Sequence, residues 1–98
     1  MPRITIKLNP SQSSLQGLYT PGDDVIVMCD ATDADFTIVM PDADSDEDTF
    51  FNFIREDSSL NVVTLEAKPN QKIMNEDTQE LTEQADDLEL KAANGGWW

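Results

Sequence analysis

Asp23-Asp-Val-Ile-Val-Met-Cys-Asp-Ala-Thr-Asp-Ala-Asp-Phe-Thr-Ile-Val-Met-Pro-Asp-Ala43 is the stretch that decides how this chain folds. Two apolar runs, Val25–Cys29 and Phe36–Met40, flank the polar turn Asp30–Asp35. Both are strand length, too short for a helix, and rich in β-branched residues. Val25–Cys29 is apolar on both faces and so predicts a central strand. Pro41 ends the second run, because proline has no N–H to give to a ladder.

The same period-2 signal extends in both directions. Ile4, Ile6 and Leu8 alternate with Arg3, Thr5 and Lys7, a half-buried strand that Asn9-Pro10-Ser-Gln-Ser-Ser14 breaks. Leu15–Tyr19 is a short apolar patch closed by the turn Pro21-Gly22-Asp23-Asp24. Phe50–Arg55 places Phe51 and Phe53 on one face, with Phe50 and Ile54 on the other. Asn61–Ala67 predicts a further strand, and a short one is expected near Lys72–Met74. Asn75–Asp87 carries helix formers and capping candidates in Asp77 and Thr78, but few apolar positions, so helix and loop both stay open. Leu88, Leu90 and Ala92 alternate again before Asn94-Gly-Gly96 turns the chain into Trp97-Trp98. About seven short strands spaced by roughly 8–12 residues predict a small antiparallel β-sandwich, jelly-roll-like, with an extended N-terminal arm.

The chain has 98 residues, enough for one domain with one modest core. Its net charge is −14, from 20 acidic and 6 basic residues. That field repels phosphate backbones and anionic lipid surfaces, so neither nucleic acid nor membrane is an expected partner. Residues 1–22 hold Arg3 and Lys7 and no acid, whereas the remainder holds all 20 acids. The single cysteine, Cys29, excludes an intramolecular disulfide and reads as a small buried thiol. The chain has no histidine, which removes the usual general base and zinc ligand. The start MPRITIKL alternates where a signal peptide would be continuously apolar, and no apolar run approaches the ~20 residues of a spanning helix.

Asp42-Ala-Asp-Ser-Asp-Glu-Asp48 concentrates five carboxylates in seven residues and invites a calcium reading. A helix–loop–helix calcium loop needs glycine at its sixth position and glutamate at its twelfth. Counted from Asp42 these are Glu47 and Phe53; counted from Asp44 they are Thr49 and Arg55. Both registers fail. What stays open is an irregular site of main-chain carbonyls and two of Asp42, Asp44, Asp46 and Asp48, against a plain solvated turn. No cofactor and no catalytic residue is expected. Ser13-Ser14 and Ser58-Ser59 have no histidine to activate them, and no glycine-rich phosphate loop is present.

Two features favour protein contact. Two tryptophans end the chain, of which Trp97 suits the domain's own core and Trp98, with Phe50, a subunit contact. The basic N-terminal strand suits addition to the edge of a partner's sheet, although it also suits the first strand of the domain.

The order of motifs resembles a small all-β module of tailed-phage virion proteins, of the fibre, spike and capsid-decoration type. The matching residues are Asp24, Val25, Ile26, Thr37, Ile38, Pro41, Asp42, Ala43, Phe51, Phe53, Ile54, Asp57, Ser58, Ser59, Asn61, Val63, Thr64, Leu65 and Trp97, across residues 18–98. The chain lacks the glycine that usually precedes the F-x-I strand and the one after the isoleucine of Lys72-Ile73. The resemblance implies a non-enzymatic virion protein, commonly trimeric, with these matches as framework and not ligand residues. A module filling nearly the whole chain is expected to be a capsid decoration (cement) protein on the outer surface of the head, bound to the major capsid protein. Residues 1–14 would then be the attachment arm, through Arg3, Ile4, Ile6, Lys7 and Leu8, and residues 15–98 the sandwich. On that view removal of residues 1–14 leaves the domain folded. Two other classes remain: an acidic DNA mimic that inhibits a host DNA-binding protein, and a fibre or receptor-binding tip.

Overall fold

β2 (Asp24–Cys29) and β4 (Phe50–Arg55) form the middle of the molecule, paired in parallel from Asp24 opposite Phe50 to Cys29 opposite Arg55. The computed structural model describes residues 3–98. On one side of this pair lies β1 (Arg3–Leu8), parallel to β2. On the other lie β7 (Asp87–Ala93) and β8 (Gly96–Trp97), both antiparallel to their neighbours. The resulting order is β1-β2-β4-β7-β8. A second sheet, β3-β5-β6, consists of Phe36–Val39, Val63–Glu66 and Thr78–Leu81. The protein is all-β, two sheets enclosing one core. Its shortest dimension, 21 Å, is what two layers about 10 Å apart need once outward side chains are added.

Strand direction departs from the expected antiparallel, jelly-roll-like arrangement. β1 with β2, β2 with β4 and β3 with β5 are all parallel. The chain passes from one sheet to the other between β2 and β3, returns for β4 and crosses again for β5. Each short crossing reverses the chain, so two crossings restore its direction. For β2–β4 and β3–β5 a strand in the opposite sheet thus plays the bridging part that a helix plays in a βαβ unit, whereas β1 and β2 are joined by the segment 9–23, which holds no strand.

Side-chain alternation sends Val25, Val27, Cys29, Phe51, Phe53, Leu90, Ala92 and Trp97 inward from one sheet and Phe36, Ile38, Val63, Leu65 and Leu81 from the other. Phe51 sits at the centre. Tyr19 meets it edge-on at 5.1 Å, and Phe53 and Trp97 pack at 5.4 and 5.3 Å. Trp97 is fully buried, and its indole donates to the Pro41 carbonyl at 3.1 Å. It gets there through a two-residue turn in which Asn94 and Gly95 both have positive φ, 52° and 72°. That backbone suits Asn-Gly and joins tight antiparallel hairpins.

No helix forms in residues 75–87: the loop alternative holds for 75–77 and 82–86, but Thr78–Leu81 is strand β6, antiparallel to β5. Only Leu81 of this segment is buried, so its conformation comes from the ladder and not from an apolar stripe. The strand expected at Lys72–Met74 is reduced to bridges at Ile73.

Cys29 is fully buried, and burial pushes its thiol up to about 12. A thiol reagent added to native protein at pH 8 should therefore react only as fast as the domain opens, and immediately in denaturant. Rapid stoichiometric labelling of the native chain would contradict this placement.

Candidate binding face

The residues singled out in the N-terminal strand divide between two environments. Leu8 is fully buried and Ile6 nearly so, while Ile4 packs half-buried against the same core. These three side chains belong to the domain's own interior and are not free to grip another protein. The separation of residues 1–14 from the sandwich is corrected accordingly: residues 3–8 are a strand of the sheet, bonded along their length to β2. Arg3, Thr5 and Lys7 point the other way, to the exposed face of the sheet.

That outer face is a grid whose rows follow from the strand register. One row runs Arg3, Asp24, Phe50, Lys91, with Trp98 beside Lys91 through reciprocal main-chain bonds of 2.8 and 3.0 Å. The middle row runs Thr5, Ile26, Asn52, Glu89, and the third Lys7, Met28, Ile54, Asp87. Phe50 and Trp98, expected at a subunit contact, thus share one row. Ile26, Met28, Phe50 and Ile54 form a half-buried apolar centre on β2 and β4. The ion pairs Arg3–Asp24 (3.7 Å), Lys7–Glu56 (3.6 Å) and Lys91–Asp48 (3.9 Å) are solvent-exposed and add little stability. Asn52 Oδ1, in the middle row of the central strand, is shut off from solvent and has no hydrogen-bond partner.

The acidic loop is less uniform than a solvated turn. Asp42 Oδ1 accepts from Gln71 Nε2 and from the Asp44 N–H, bonds that, Gln71's first, lower the Asp42 carboxyl below its ordinary range. Asp46 turns inward, only 6% exposed, and accepts the Tyr19 hydroxyl. Burial first, then that bond, raises the Tyr19 phenol. Asp48 leans to Lys91 and Asp44 lies near Gly95. The four aspartates proposed for an irregular calcium site therefore diverge. Among the described residues no group of three or more His, Cys, Asp or Glu is placed to hold a metal ion.

The residue that sequence reasoning missed is Arg55. It ends β4 on the inward side, continuing Phe51 and Phe53, and is fully buried. Its guanidinium donates to both Asp57 oxygens at 2.6 and 3.1 Å, to the Leu81 carbonyl at 2.8 Å and to Ser59. Asp57 also accepts the Ala31 and Ser59 N–H groups, and Asn61 donates to the Ala31 carbonyl at 2.7 Å. Arg55 first, with these further donors, holds the Asp57 carboxyl far below the usual carboxylate range, and Asp57 in turn raises Arg55. The signal was available: the 51, 53, 55 alternation places an arginine inward just before Asp57-Ser58-Ser59.

No family model, curated protein or solved structure matches the chain. The phage resemblance thus rests on motif order. Several of its residues, Val25, Ile38, Phe51, Phe53, Val63, Leu65 and Trp97, lie in the core, and Asp57, Ser59 and Asn61 build the buried polar cluster. A groove of about 380 Å³ lies beside Leu15, Tyr19, Pro21, Val39 and Pro41.

Proposed function

We propose that this chain is a non-enzymatic structural protein of a tailed-phage head, a decoration (cement) protein that binds the outside of the major capsid protein. The observation that carries the reading is the position and charge of β1. This strand is the outer edge of the five-stranded sheet, so one side of its backbone is free to extend a partner's sheet. Its exposed side chains Arg3 and Lys7 are the bases of a segment without acids, on a chain of net charge −14. A basic edge on an acidic body favours one docking orientation, and the acidic remainder keeps densely arrayed copies soluble. Framework placement of the resemblance residues is the second support.

Binding to expanded, undecorated capsids tests the idea. Arg3→Glu with Lys7→Glu leaves Ile6 and Leu8 in the core and should keep the thermal transition within a few degrees of the parent. Capsid affinity should fall about tenfold or more, judged by co-sedimentation and by occupancy in cryo-EM maps. Unchanged occupancy would rule out attachment through the β1 edge. Fewer than tens of copies per purified virion would rule out decoration altogether.

A further inference from the structure

We propose that β3 is a strand-addition site, to whose free edge an extended segment of another protein binds antiparallel, carrying an apolar residue and a carboxylate two positions apart. Capsid attachment uses β1 in the other sheet, so the two readings are independent. The backbone supplies the first argument. β3 is an outer strand of its sheet and pairs only with β5. The Phe36 and Met40 N–H groups donate to the Val62 and Glu66 carbonyls at 3.2 and 2.7 Å. Alternation along the strand therefore turns the N–H and C=O of Thr37 and Val39 away from β5. Among the described residues no main-chain partner reaches these four groups.

Charge supplies the second. Edge strands usually carry charges that discourage pairing with another chain. β1 has Arg3 and Lys7, and β6 has Glu80. β8 is only two residues long, and Ile73 bridges to it. β3, Phe36-Thr-Ile-Val39, has no charge, and Val39 is 47% exposed.

The groove specifies the occupant. It lies at the end of this edge, walled by Leu15, Tyr19, Pro21, Val39 and Pro41, and Lys68 completes its lining. Of the chain's six bases, Arg3, Lys7, Arg55, Lys72 and Lys91 are ion-paired. Lys68 is the one that has no such partner among the described residues. Asp42, which also lines the groove, is already held by Gln71 and the Asp44 N–H. Val39 stands opposite Glu66, so two residues further Pro41 comes opposite Lys68. An incoming residue beside Val39 sets its side chain in the groove. The residue two positions away shares that face and lies beside Pro41, within reach of the Lys68 ammonium. Pro41 has no N–H, so the added ladder ends there. Main-chain bonds to Thr37 and Val39 give affinity, and the groove and Lys68 give specificity.

The acetylated, amidated hexapeptide Asp-Thr-Leu-Thr-Val-Thr is the probe, with its aspartate beside Pro41 and its leucine beside Val39. Titrated into the full chain, it should bind with Kd on the order of 100 µM. The amide proton signals of Thr37 and Val39 should move downfield as they gain acceptors. Lys68→Glu should weaken binding about tenfold, and a peptide with lysine in place of the aspartate should recover it on that variant. Val39→Pro removes an outward N–H without touching the β5 ladder, and should cut affinity at least fivefold. Circular dichroism melts confirm that both variants are folded. No movement of the Thr37 and Val39 signals at millimolar peptide would overturn the proposal, as would equal affinity for the two peptides. Largest shifts along Arg3–Leu8 would place strand addition at β1 instead. The same shifts on raising protein concentration alone would assign the edge to a second copy, and either result refutes the site as described.

Discussion

Replacing Arg55 by methionine is expected to lower stability by about 3–5 kcal/mol, the cost of breaking a buried ion pair by removing one partner. The side chain is fully buried against Asp57, itself only 7% exposed, so no water replaces the lost donors. Asp57 would remain charged in an apolar setting, and the Leu81 carbonyl would lose its donor. In a domain of this size each kcal/mol moves the thermal midpoint by about 4–8 °C, so Tm should fall by at least ~12 °C. The cluster ties the end of β4 to the turn after β2 and to the end of β6, so hydrogen exchange should rise in all three together. A double variant with Asp57→Asn should cost less than the two single changes combined, since both act on one network. A loss below about 1 kcal/mol, or strict additivity, would show that the cluster is not the clasp described here.

The pH dependence has a definite sign. The folded carboxyl of Asp57 titrates well below its unfolded value of about 3.9. Its stabilisation is therefore complete above that unfolded value and is lost as pH falls towards the folded one. The parent should lose stability through this group between pH ~4 and strongly acidic solution, whereas Arg55→Met, lacking the main cause of the depression, should lose less. The gap between the two melting curves should narrow on acidification.

Removal of residues 1–14 is expected to leave the chain without a cooperative melting transition, contrary to what an independent arm would allow. The deletion takes β1 from the sheet, with the fully buried Leu8 and nearly buried Ile6, and opens β2 as a new edge. Leu8→Ala alone should cost about 2–5 kcal/mol, against a total of about 5–15 for a domain. A dispersed amide spectrum and a sharp melt from the truncated chain would return these residues to the status of an arm. Loss of capsid binding on truncation would then report unfolding, and only Arg3 and Lys7 changes test attachment.

Strand positions were legible because alternation is local. Ile4, Ile6 and Leu8, or Phe51 and Phe53, reveal one buried face without knowledge of their neighbours. Trp97 was legible for a similar reason, since Asn94-Gly95 reverses the chain at once and returns the ring to the sheet it has just left. The acidic loop was legible only in part. Five carboxylates look equivalent in a row, and nothing local says that Asp46 turns in to Tyr19, 27 residues away. Thr78–Leu81 was not legible, because Glu, Gln and Leu suit a helix and only the β5 ladder makes the segment a strand. Arg55 was readable as inward-facing, but its counter-ion cluster closes only when the loops carrying Ala31 and Asn61 meet.

By itself, then, the sequence determined an all-β single domain, the inward and outward face of most strands, an acidic body and a basic first strand. These follow from side-chain periodicity and from counting charges, neither of which needs a partner strand. Only the tertiary structure decided that three of the strand pairs run parallel, that β1 is an integral edge, and that Arg3, Phe50, Asn52, Lys91 and Trp98 share one surface. Any strand has the same hydrogen-bonding groups for a parallel or an antiparallel neighbour. Which neighbour it takes is settled by how the two sheets enclose one core, a property of the whole chain and of no segment within it.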